Sequence, residues 1–397
     1  MKSRLQLTIL VLAFLVATGP WSLIHAQQPS DRTASFDDLL TKMSSPPGNA
    51  CNGKGDDFSR LEYYLFEQAD QAVLRGLNEA KPGDSANASA SEQKERAIKA
   101  LSQLEHSSAE INKEWQEENR FHFEVLDVPP AFVVKMTFRN RATFTVFGIP
   151  QFSDDQKPNT AWRAIYAADD GRFEPRSGYD WVDLFSLQRG PSKRARFLAK
   201  FGGAGCGSGV GMSYYAYEWD PKNFGDLTEF IKLEGAASQE EPVDKGRPSK
   251  KDLSSFFPPI GKLETTGTLI TLPYCRFSQI DTWDNPSLCF VDSYDISRDH
   301  ARFIRRVTNR PDLVPIAKAI EYAQAHDYPA LLAYCASPEV ALRILGNVPP
   351  HVYAGPGLKV SRIDGLKERV EIGDDDVFQF DVEKRAGRWL VAGFRIR

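Results

Sequence analysis

The chain has 397 residues, with 49 basic against 53 acidic side chains and a formal net charge of -4. Nothing in that balance suggests a nucleic-acid binder, which needs a strongly basic domain or face. The length exceeds what one hydrophobic core usually serves and predicts two or three domains. No motif along it names a reaction, so no catalytic residue and no cofactor is assigned.

Lys2 and Arg4 precede an apolar run over 7–17, a Gly19-Pro20 break and a short stretch ending at Ala26. This is the layout of a secretory signal peptide over 1–26. The break stops the run short of the roughly 20 apolar residues of a spanning helix. Cleavage is therefore predicted, leaving no stable membrane span and a periplasmic or secreted protein. Five cysteines follow, and in an oxidising compartment an odd number allows two bridges and one free thiol. Cys275 is expected to pair with Cys289, because the turn-forming Asp284-Asn285-Pro286 between them brings two strand ends together. Cys51 with Cys206 is the remaining pairing, and Cys335, inside a helical pattern, is expected as a buried thiol.

Residues 27–57, rich in Ser, Pro, Gly, Asn and Asp, read as a flexible lead-in. Residues 58–120 read as a helical hairpin. Its first stripe runs through Phe58, Leu61, Leu65, Phe66, Ala69, Val73 and Leu77. Its second runs through Ala97, Leu101, Leu104, Ser108, Ile111 and Trp115, with Ser89 and Glu92 at capping-box spacing ahead of it.

After Arg120 the period falls to two, predicting an antiparallel β domain over 121–310 closed as a barrel, sandwich or partial propeller. Strands are expected at 132–138, 143–147, 162–167, 181–187, 195–201, 212–219, 227–233, 263–272, 288–294 and 303–307. Residues 236–251 read as an exposed polar loop. Short helices at 313–325, 328–336 and 339–345 follow, with Asp327 and Ser337 at N-cap positions ahead of Pro329 and Pro338. Strand runs at 358–363, 367–372 and 377–396 close the chain, the last broken at Ala386-Gly387. The fold class expected is multi-domain α+β.

The stretch 319–331, AIEYAQAHDYPAL, and the ending 380–391, FDVEKRAGRWLV, resemble NTF2-like (SnoaL-like) α+β cone domains. The resemblance implies a curved sheet around helices over 311–397, a ligand pocket in some members and a supporting role in many. The segment is short for the full set of strands, so a truncated version without a pocket is the alternative. If a pocket is present, Tyr322, Tyr334, Phe378, Phe380 and Trp389 are its candidate lining, with His326 beside Asp327 as a general base at its mouth. The same aromatics would also fill a small core.

Other clusters give structural readings. Gly202 to Gly211 lacks phosphate-loop spacing and reads as a hairpin connection, and Cys206 within it has no histidine nearby in sequence. The histidines stand at no metal-ligand spacing, so no metal site is assigned. Asp169-Asp170 and Asp374-Asp375-Asp376 read as solvated turns. Arg302, Arg305, Arg306 and Arg310 form a basic patch that reads as an exposed face near a domain junction, with an acidic partner or a cell-surface polyanion as the alternative. The sequence favours a noncatalytic binding or structural role outside the cytoplasm, its partner a protein or small molecule. An isomerase- or hydrolase-type pocket in the C-terminal domain is the alternative.

Overall fold

The computed structural model describes residues 33–43, 55–78, 90–139, 141–151, 161–165, 181–188, 194–204, 210–222, 227–237, 263–276, 278, 280, 288–298, 300–348, 358–373 and 377–397. The signal-peptide expectation, Cys51, Cys206, Ser89, both aspartate clusters and most of the polar loop lie outside these residues.

Three helices open the fold: α1 (Phe36–Lys42), α2 (Gly55–Asn78) and α3 (Ala90–Ile111). Helix α1 falls in the stretch read as a flexible lead-in. It forms because Ser35 and Asp38 make a reciprocal capping box, and because Phe36, Leu39 and Leu40 find apolar cover. Helices α2 and α3 pack closely, and Gly76 of α2 faces the Arg96 carbonyl and Ala100 of α3.

The first sheet orders β1 (His122–Val128), β2 (Ala131–Phe138), β3 (Arg141–Gly148) and β4 (Arg163–Ile165) as an antiparallel meander. Strand β1 was missed by period counting because its side chains are only half-buried. Phe132, Val134, Met136 and Phe138 of β2 join the helices in one core, while Val133 faces the other way into a second. Burial on both faces explains the apolar run over 131–134 that opens this strand.

Against that second face lies an eight-stranded antiparallel sheet. Its order is β12 (Arg302–Thr308), β11 (Leu288–Asp295), β10 (Leu269–Arg276), β8 (Thr228–Ala237), β7 (Val210–Trp219), β6 (Ala195–Ala204), β5 (Trp181–Ser186). The short β9 (Glu264–Thr266) pairs with β10 through a turn at Gly267, so the single strand expected at 263–272 is a hairpin. Phe144 of the first sheet meets Phe197, Phe201 and Tyr217 of the second with ring centroids 5.5 to 5.8 Å apart. Helices, sheet and sheet thus form successive layers. On the eight-stranded sheet, Arg196 is buried, donates to Glu218 and to the carbonyls of Ile296 and Arg298, and lies 5.1 Å over the Phe230 ring. It ties β6 and β7 to the chain leaving β11.

The C-terminal unit has α4 (Val314–Gln324), α5 (Tyr328–Leu332) and α6 (Pro338–Asn347), then an antiparallel meander of β13 (Leu358–Asp364), β14 (Lys367–Ile372), β15 (Phe378–Arg385) and β16 (Arg388–Ile396). Asp327 and Ser337 cap α5 and α6 as their sequence positions require. The β15–β16 turn uses Ala386 and Gly387, both at positive φ. Ile320, Leu331, Ile344, Val370, Phe380, Val391 and Phe394 form its core, and Leu288 with Phe290 of β11 extends that core into the large sheet. The whole is a mixed α+β fold.

Candidate functional site

Two terminal strands are almost wholly exposed, β13 of the C-terminal meander and β12 of the eight-stranded sheet, and β12 carries the larger apolar group. Among the described residues its sole strand neighbour is β11. Phe303, Ile304 and Val307 remain 50%, 47% and 45% exposed on it. The register shifts between Ser293 and Tyr294, leaving Ile304 as the extra residue of a β-bulge. Phe303 rests edge-on against Tyr294 with centroids 5.6 Å apart.

The basic patch read from the sequence is ordered by aspartates. Arg306 grips the fully buried Asp292 with two 2.7 Å hydrogen bonds, and Tyr274 donates to the same carboxylate at 3.2 Å. Its guanidinium also stands 5.8 Å from the Tyr274 ring and 5.4 Å from that of Phe290. Hydrogen bonding to Asp292 holds the Arg306 guanidinium above its ordinary pKa. Arg302 reaches Asp295 at 3.4 Å, and Arg310 holds Asp312 through Nε at 3.0 and 3.2 Å. Arg305 alone of the four has no carboxylate within ion-pair distance among the described residues. Sequence reading found the arginines and missed their partners; the available signal was the Asp292 and Asp295 spacing on the preceding strand.

Next to β12 lies a second polar cluster. The carboxyls of Asp312 and Glu368 are within hydrogen-bond reach of one another, and both residues are buried. Burial, then the Asp312 carboxylate, push Glu368 above its ordinary pKa of 4.5. Asp312, despite burial, is held below 3.8 by its hydrogen bonds and charge pairing with Arg310. Arg362 faces Glu368 from β13 at 3.5 Å. Two carboxyls and two guanidiniums thus join the β12 exit to the β13–β14 hairpin.

The residues proposed for a C-terminal pocket separate into two groups. Phe380 is fully buried and, with Phe378, stacks around Phe394 at centroid distances of 4.9 and 6.4 Å. Tyr322 and Tyr334 form their own contact at 5.8 Å, partly exposed, with Lys318 Nζ 5.6 Å above Tyr322. Trp389 packs partly buried on the same core from β16. His326 is exposed at φ 53°, where its N–H bonds the Ala323 carbonyl and that of Asp327 bonds Tyr322, a Schellman closure of α4. Asp327 accepts from the Ala330 N–H at 3.1 Å, so its carboxylate already has a backbone partner.

Cys275 and Cys289 form a disulfide between directly opposed residues of β10 and β11, both buried. Cys335 is a free buried thiol, and burial pushes it up to about 11, which keeps it protonated and unreactive. It lies beyond the end of α5, bridging Val391 of β16, and not inside a helix as its pattern suggested. Among the described residues no cluster of His, Cys, Asp and Glu has the makings of a metal site, and no helix is long and apolar enough to cross a membrane. No family model, curated protein or solved structure matches the chain.

Proposed function

We propose that this is an exported, noncatalytic binding protein that presents β12 as a docking strand outside the cytoplasm. The observation that carries the reading is the exposure of Phe303, Ile304 and Val307 on a strand with one neighbour among the described residues. Sheet edges with open N–H and C=O groups recruit further strands, and apolar side chains beside them add contact area. The bidentate Arg306–Asp292 pair and the Tyr274 contact fix β12 before any partner arrives, which lowers the ordering penalty of binding. Export is supported by the Lys2, Arg4 and apolar 7–17 pattern together with the Cys275–Cys289 disulfide.

A second reading places a small ligand on the C-terminal unit, read as NTF2-like. It draws on the partly exposed Tyr322–Tyr334 contact. Phe378 and Phe380, already packed on Phe394, contribute to the core in this reading and not to a pocket lining.

The test is a photo-crosslinking amino acid placed at Ile304 and, separately, at Leu342, an exposed apolar residue of α6. Both proteins are irradiated in the exporting host. An adduct of defined mass from position 304 and none from 342 is expected. No adduct from 304, or the same adducts from both, overturns the docking-strand reading.

A further inference from the structure

The chemistry of β12 also specifies what kind of strand it takes. Arginines on an edge strand ordinarily guard it against pairing. Here the sheet already contains one strand that complements them. Strand β11 sets Asp292 opposite Arg306 and Asp295 opposite Arg302, in register. A strand added on the side away from β11, where no described strand lies, would meet the same arginines at cross-strand distance, together with Arg305, which is exposed and has no carboxylate near it among the described residues. Phe303, Ile304 and Val307 stand between these charges.

A second copy of the chain is a poor complement. Antiparallel pairing of the whole strand with itself sets Arg305 opposite Arg305, and parallel pairing in register brings every arginine beside its own copy. Like charges directly opposed destabilise a sheet. Resting on the docking-strand reading, we infer that β12 accepts an extended segment of another protein in which carboxylates are interspersed with apolar residues, added as the next strand of the sheet. Arg305 selects it by charge, while Phe303, Ile304 and Val307 supply the apolar contact.

The test uses three fluorescent peptides of equal length on the full chain: alternating Asp and Val, alternating Ser and Val, and alternating Lys and Val. Anisotropy titrations are expected to show the aspartate peptide binding at least about tenfold more tightly than the serine one, with the lysine peptide weakest. Added salt should erode the difference. Arg305→Glu should remove most of the aspartate preference while leaving the melting temperature unchanged, since Arg305 is exposed and has no ion-pair partner among the described residues. Equal binding of the three peptides, lost in Ile304→Asp, overturns the acidic assignment while keeping β12 as a docking strand. No binding by any peptide overturns the inference altogether. A dimer in sedimentation that Ile304→Asp dissociates also overturns it, because the occupant is then a second copy.

Discussion

The indole of Trp219 in β7 fills the space that a side chain on Gly148 of β3 would need. This contact joins the ends of the two stacked sheets, and it is possible because Gly148 lacks a Cβ. Gly148→Ala should therefore force the sheets apart and destabilise the protein by about 1–3 kcal/mol, the usual range for overpacking. Gly346 of α6 has open space around it, and Gly346→Ala should stabilise by about 0.5–1 kcal/mol through helix propensity. Urea unfolding of both variants checks the opposite signs.

Arg196 is buried with Glu218 as its charged partner. Arg196→Met leaves Glu218 with Arg194 as its other charged partner but frees two carbonyl acceptors, so a loss of about 1–3 kcal/mol is expected. Glu218→Gln removes the same pair from its other side, so the two changes together should cost less than the sum of their separate losses. A double-mutant cycle in urea measures both. Additive losses would show that the pair is not coupled.

The Asp312–Glu368 pair predicts a stability maximum in mildly acid solution. Asp312 is depressed below 3.8, so its contribution is present above that value and fades as pH falls through its lowered pKa. Glu368 is raised above 4.5, so its contribution is present below that value and fades as pH rises through its raised pKa. Arg310 and Arg362 face the pair and narrow the alkaline loss without reversing its sign. Glu368→Gln keeps a donor for Asp312 and should flatten the alkaline limb of a melting-temperature profile. An unchanged limb would show that another group sets it.

His326 closes α4 from the left-handed region, where a side chain is a liability. His326→Gly should stabilise the chain by roughly 0.5–1 kcal/mol, measurable by thermal melting. A loss of stability would mean that the imidazole makes contacts of its own.

The Cys275–Cys289 bridge spans a separation of 14 residues. Replacing both cysteines with serine should cost about 3 kcal/mol, on the loop-entropy scale for that length. Matched denaturation curves with and without reductant give the same quantity for the native chain. Indifference to both would show that the loop is already ordered when unfolded.

Much of this fold is local and was readable. The caps at Asp327 and Ser337 and the Ala386-Gly387 turn depend on residues a few positions apart, and the Cys275–Cys289 pairing on two strands joined by a 14-residue separation. Features that depend on distant partners were not. Asp292 looks like an ordinary strand residue until Tyr274 and Arg306 close on it from the flanking strands. Gly267 turns a run that reads as one strand, and Phe36 nucleates a helix whose apolar face is covered by Phe121 and the hairpin. The candidate docking strand was legible as a strand with four arginines around it. Its edge position was not, because strand order in a sheet is set by packing between segments far apart in sequence.

The most direct measurement is amide hydrogen exchange across 302–308 of the full chain, with and without the alternating Asp and Val peptide. The account predicts slowed exchange confined to β12 when the peptide is present, with the helical hairpin and the C-terminal meander unchanged. Protection appearing around Tyr322, Tyr334 and Trp389 instead, with β12 unaltered, would contradict it and place the binding site in the C-terminal unit.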